Sequence, residues 1–99
     1  MKQQSNQIDK VASIIEIEYL TPKFRELTKK SKDYDKARYL YVWYLFTELN
    51  IQRTTIRETL PCYGYSKTIY QIIKRMYIRR KDNDLKADIQ MIKNGLKYE

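Results

Sequence analysis

Between residues 66 and 81 the chain places six cations, Lys67, Lys74, Arg75, Arg79, Arg80 and Lys81, and no Asp or Glu. Lysine and arginine at that density suit phosphate chemistry, because they neutralise backbone charge and release its counterions. On a helix of 100° per residue, Lys67, Gln71, Lys74 and Ile78 share one side, flanked by Tyr70 and Arg75. A glutamine there can pair bidentately with an adenine edge, and a lysine can donate to guanine O6 or N7. A solvated helix face usually mixes both signs. Omitting acids costs self-repulsion, which a bound polyanion relieves. Ile69, Ile72, Ile73 and Met76 fall on the other side and form a stripe fit for a core.

This run holds +6 of the chain's net +8. Residues 1 to 35 carry seven cations and six anions, and residues 82 to 99 carry three and four, so both nearly cancel. Such a distribution points to an anionic partner: nucleic acid, an acidic protein or a membrane surface. The longest apolar run, residues 39 to 46, is eight residues, too short to span a bilayer. The N-terminus has no signal-like apolar stretch, so the expected location is the cytoplasm and no membrane partner is expected.

The chain has no His and one Cys, Cys62. A Cys/His zinc site and an intrachain disulfide are excluded. So is every arrangement that uses an imidazole base. The carboxylates are scattered among cations at expected helix ends, which reads as capping and surface pairing. No enzyme activity, cofactor or small-molecule substrate is expected, and Cys62 beside Pro61 reads as a turn or core residue.

The 99 residues suit one domain, and few Gly or Pro with many Lys, Glu, Leu and Ile favour helices. An all-α fold of five to six helices is expected. The first helix should open near Ser5 or Asn6 and carry Ile8, Val11, Ile15 and Tyr19 as one stripe. Thr21 and Pro22 read as N-cap and first residue of a short second helix, with Phe24 and Leu27 inward. A third helix from about Asp35 to Leu49 is apolar almost all round and belongs at the centre, with Trp43 a core anchor. The last helix, Asp84 to Lys97, carries Leu85, Ile89, Ile92 and Leu96 inward.

The remaining segment is "TTIRETLPCYGYSKTIYQIIKR". Thr55 and Glu58 have capping-box spacing, Ile56 and Leu60 can face inward, and Pro61 stops the helix. Gly64 offers a positive φ for a tight turn. Ser66 can cap a helix from 67 to about 80. Together these predict a helix-turn-helix from about Thr55 to Arg80, although two helices of a plain bundle would share the spacing. Its second helix is the one that enters a major groove, N-terminal residues nearest the bases. Lys74, Arg75, Arg79 and Arg80 are then expected at phosphates.

In order and spacing, these segments resemble the C-terminal DNA-binding domain of DnaA, the bacterial replication initiator, a Trp-repressor-like helix-turn-helix. "IDKVASIIEI" and "FRELTKKSKDYDKAR" resemble its opening helices and SKSR…AR segment. "WYLFTEL" resembles its MYL-x-x-EL helix, and "DNDLKADIQMIKNGL" its D-x-x-L-x-x-D-I helix. The resemblance covers nearly the whole chain. It implies double-stranded DNA as partner and a role in replication initiation or its control, or in transcription. It places Tyr65, Ser66, Lys67 and Thr68 in the base-reading stretch, with Gln71 one turn on. It matches Arg38 to an arginine that reaches the minor groove.

The family signature GGRDHTTV is replaced here by "CYGYSKTI", in which Thr68 and an aliphatic Ile69 match the end. Without the signature's Asp and His, a different preferred site is expected. The phosphate loop GxxxxGK[ST] of the DnaA ATPase is absent from this sequence. The expectation is a free-standing module or a fragment of something larger. The competing expectation is a protein-interaction module whose basic, Tyr-rich surface grips an acidic replication or regulatory protein. A third, a mobile-element repressor, shares the DNA chemistry.

Overall fold

The computed structural model describes residues 2–28, 30–64 and 66–97, without the side chains of residues 2–5 and 66. The described residues form five helices and no strand: α1 Lys2–Tyr19, α2 Lys32–Thr47, α3 Arg53–Glu58, α4 Ser66–Ile78 and α5 Asn83–Lys97. The fold is all-α, as composition and periodicity predict. The radius of gyration is 12.4 Å, against about 13 Å for a compact chain of 100 residues.

α2 is the axis, and each of the other four helices packs against it. Its sequence explains this. Ala37, Leu40, Tyr41, Val42, Trp43, Tyr44 and Leu45 are all buried, so the helix has apolar neighbours on every side. The segment "YLYVWYLF" is therefore helical despite its strand-favouring residues, because burial all round overrides intrinsic preference. Ser31 caps the helix, with its Oγ accepting the Tyr34 N–H at 3.1 Å. Asp33 and Asp35 sit in the first turn, where the helix dipole favours anions.

α1 lays Ile8, Val11 and Ile15 into the core, the expected stripe, but begins earlier than Ser5. Its C-terminus closes with Leu20 at φ 54° and the Thr21 N–H donating to the Glu16 carbonyl at 3.0 Å. This is a Schellman-type end made without glycine. Gly95 of α5 lets α1 come close: a Cβ there would meet Ile14 Cδ1 at 2.8 Å.

The expected helix after Thr21 is not formed. Residues 22–26 make a turn, Lys23 has φ 56°, and Thr21 is buried with its hydroxyl unpartnered, capping nothing. Phe24 is buried as expected and meets Tyr41 edge-on at 5.3 Å, but Leu27 is exposed. The physical reason lies in α2. Tyr34 and Arg38 supply donors to the carbonyls of Pro22, Phe24 and Leu27, so the segment needs no helical N–H groups of its own.

α3 begins two residues before the expected cap. Gln52 occupies the N-cap with extended backbone and no side-chain hydrogen bond, so Thr55 and Glu58 form no capping box. Asn50 at φ 55° and buried Ile51 turn the chain early and fix that start. Ile56 and Leu60 face inward as predicted. The connection to α4 spans residues 59 to 65, longer than the usual three or four of a helix-turn-helix. Gly64 does not use a positive φ. The connection is instead held by the Cys62 N–H on the Arg25 carbonyl at 3.1 Å and by Arg57 on the Gly64 carbonyl at 3.4 Å.

Candidate nucleic-acid interface

α4 is positioned by its apolar side. Ile69, Ile72, Ile73 and Met76 are buried, all four residues of the predicted stripe. They seat the helix against α2 and α3, which fixes what its other side presents. Lys67, Gln71, Lys74 and Ile78 are exposed along one ridge. The eleven steps from Lys67 to Ile78, at about 1.5 Å each, make that ridge roughly 17 Å long, the rise of about five base pairs.

The two flanks of the ridge differ. On the α3 side, the Tyr70 ring has two cations near it, with the Arg53 guanidinium 5.0 Å and the Lys74 ammonium 5.4 Å from its centroid. Both are within cation–π range. On the α2 side, Arg75 Nη1 donates to the Tyr39 hydroxyl at 3.2 Å. A cleft of about 270 Å³ opens beside them, lined in part by Asp35, Tyr63, Thr68 and Gln71. Burial pushes the Tyr63 phenol well up from its ordinary value.

The sequence-predicted residues divide accordingly. Lys67, Gln71 and Lys74 are brought together on the ridge, with Arg75 beside them. Thr68 is half-buried and faces the α2 cleft rather than the ridge. Arg79 and Arg80 follow α4, and both are engaged. Arg79 Nε donates to Asp82 Oδ2 at 3.3 Å, an exposed pair. Arg80 folds back with its guanidinium 3.9 Å from the Tyr77 centroid and donates to the Tyr77 carbonyl at 2.8 Å. Tyr65 and the Ser66 side chain lie outside the described residues.

Arg38 is a correction. It is buried, not at a surface that a minor groove can meet. Its Nε donates to the Phe24 carbonyl at 3.1 Å, Nη2 to the Leu27 carbonyl at 2.6 Å, and Nη1 to Asp35 Oδ1 at 3.3 Å. The guanidinium fork is spent on structure. Cys62 lies in the same region, with its Sγ 3.8 Å from the Phe24 carbonyl, and burial pushes its thiol up. It is a half-buried structural cysteine.

Sequence reasoning missed Arg53 and Tyr39. Neither stands out locally, because both reach α4 only through tertiary packing. The signal that was present is an aromatic at the edge of each expected core face, since a tyrosine body packs while its hydroxyl seeks a polar partner. Among the described residues, no cluster of His, Cys, Asp or Glu is arranged to hold a metal ion. No described helix is long and apolar enough to cross a membrane.

Comparison of the chain with protein-family models, curated proteins and solved structures finds no match.

Proposed function

We propose that this chain is a sequence-specific, double-stranded DNA-binding module that grips duplex DNA with the outward side of α4. The observation that carries the reading is the acid-free ridge of Lys67, Gln71 and Lys74, on a helix whose opposite side is anchored by Ile69, Ile72, Ile73 and Met76. A rigid cationic helix standing out from a packed body suits a major groove. Lys74, Arg75 and Arg53 stand on the ridge and its flanks, where phosphates of the two strands would pass. Lys67 and Gln71 supply the donors and acceptors for base edges. In this reading α3 and α4 are the two helices of a helix-turn-helix with a lengthened connection.

The resemblance of the segments to the DnaA C-terminal domain supports a role in replication initiation or its control, or in transcription. The loss of that family's Asp and His supports a different preferred site. The experiment is selection from random duplexes, followed by affinity measurement on the recovered site and a scrambled control. Recovery of a defined motif that differs from the DnaA family's site is expected. Recovery of random sequence, or of that family's own site, overturns the specificity assigned here.

The exposed Tyr77 and Ile78 beside these cations also suit an acidic protein partner. A stable protein interface buries about 800 Å² per partner, and two side chains supply a small part of that. Duplex DNA is therefore the better-supported partner.

A further inference from the structure

Ile78 is the anomaly of the basic face. It is 80% exposed, on the same ridge as Lys67, Gln71 and Lys74. A shallow recess of about 590 Å³ runs along α4 here, with Ile78 and Tyr77 beside Gln71, Lys74 and Arg75. Ile17 and Leu20 are as exposed elsewhere, at 76% and 82%, so it is the cationic setting of Ile78 that sets it apart. One feature of duplex DNA asks for an apolar side chain in that setting. In the major groove, thymine shows a C5 methyl group, and apolar side chains recognise it.

We infer that Ile78 reads the C5 methyl of a thymine in the major groove, and so is a specificity-determining residue of the site. This rests on the duplex-DNA reading above. Charge supports the choice of occupant: Lys74 one turn back on the ridge, with Arg75 and Arg80 close in sequence, would draw phosphates to either side of Ile78. The position follows from helix geometry. Ile78 stands seven residues beyond Gln71, about 10 Å along the axis at 1.5 Å per residue, so its thymine lies about three base pairs from the base that Gln71 contacts.

The test uses the duplex recovered by selection, with each thymine replaced in turn by deoxyuridine, which removes the methyl and nothing else. Affinities are measured for the wild-type chain and for Ile78→Ala. For the wild type, replacement at one thymine should weaken binding about fourfold, the worth of one buried methyl group. For Ile78→Ala the same replacement should change nothing. Because Ile78 is exposed, the variant should melt as the wild type does, which circular dichroism checks. Sequence-specific binding in which no deoxyuridine replacement distinguishes the two proteins overturns this inference and leaves the DNA reading standing. No affinity for any duplex at low salt overturns both. Unchanged duplex affinity of Ile78→Ala also overturns it.

Discussion

Truncating Arg38 separates its structural role from the DNA-contact role that the DnaA resemblance implies. Arg38→Ala removes three hydrogen bonds, to the Phe24 and Leu27 carbonyls and to Asp35. Hydrogen bonds to charged groups contribute about 1.5–3 kcal/mol each. The Arg38 side chain is 4% exposed and Asp35 is 53% exposed, so Asp35 is rehydrated while the Phe24 carbonyl is left in a dry space. The two bonds to carbonyls together contribute about 3–6 kcal/mol. The lower figure alone, at about 4–8 °C per kcal/mol for a chain of this size, lowers Tm by roughly 12 °C or more. Thermal unfolding followed by circular dichroism reads this directly. Arg38→Lys should fall between, since one ammonium cannot span both carbonyls. Asp35→Ala should cost about 0–1 kcal/mol, as an exposed partner does. An unchanged Tm for Arg38→Ala with duplex affinity lost would refute the argument and return Arg38 to the DNA.

Other perturbations probe other links. Ile69→Asp places a carboxylate at a fully buried position; several kcal/mol of desolvation against about 5–15 of total stability should abolish cooperative melting. Lys74→Ala should weaken binding to all duplexes alike and flatten the salt slope by about one unit without moving Tm. Gly64 has nothing within 4 Å of an added Cβ and no positive φ, so Gly64→Ala should raise stability by about 0.4–1 kcal/mol, and a lower melting temperature would contradict the backbone described. With its thiol pushed up by burial, Cys62 should be alkylated at pH 8 far more slowly in the folded protein than in denaturant.

What was legible in the sequence followed from periodicity. The stripe Ile69, Ile72, Ile73 and Met76 gave the facing of α4, and the apolar run of α2 gave the central helix, because burial is written directly in residue type. The segment after Tyr19 was not legible. Thr21–Pro22 is a sound local start signal, but the left-handed residues are Leu20 and Lys23, types that seldom announce such a backbone. The donors that satisfy the segment come from α2. Arg38 misled for a related reason. Charged residues are seldom fully buried, and nothing local says which arginine will serve carbonyls from an unpaired loop. Arg53 and Tyr39 entered the site only through helix packing.

The central claim, that α4 grips duplex DNA through phosphates, is tested most directly by the salt dependence of affinity for the selected duplex. About five neutralised phosphates, the number that Lys74, Arg75, Arg79, Arg80 and Arg53 would meet, predict a slope of log K against log salt near −4.5. That is roughly a 500-fold loss between 50 and 200 mM salt. Heparin at matched charge should not compete down to the same affinity. A slope near zero, or equal binding to heparin and to the selected duplex, would contradict the account.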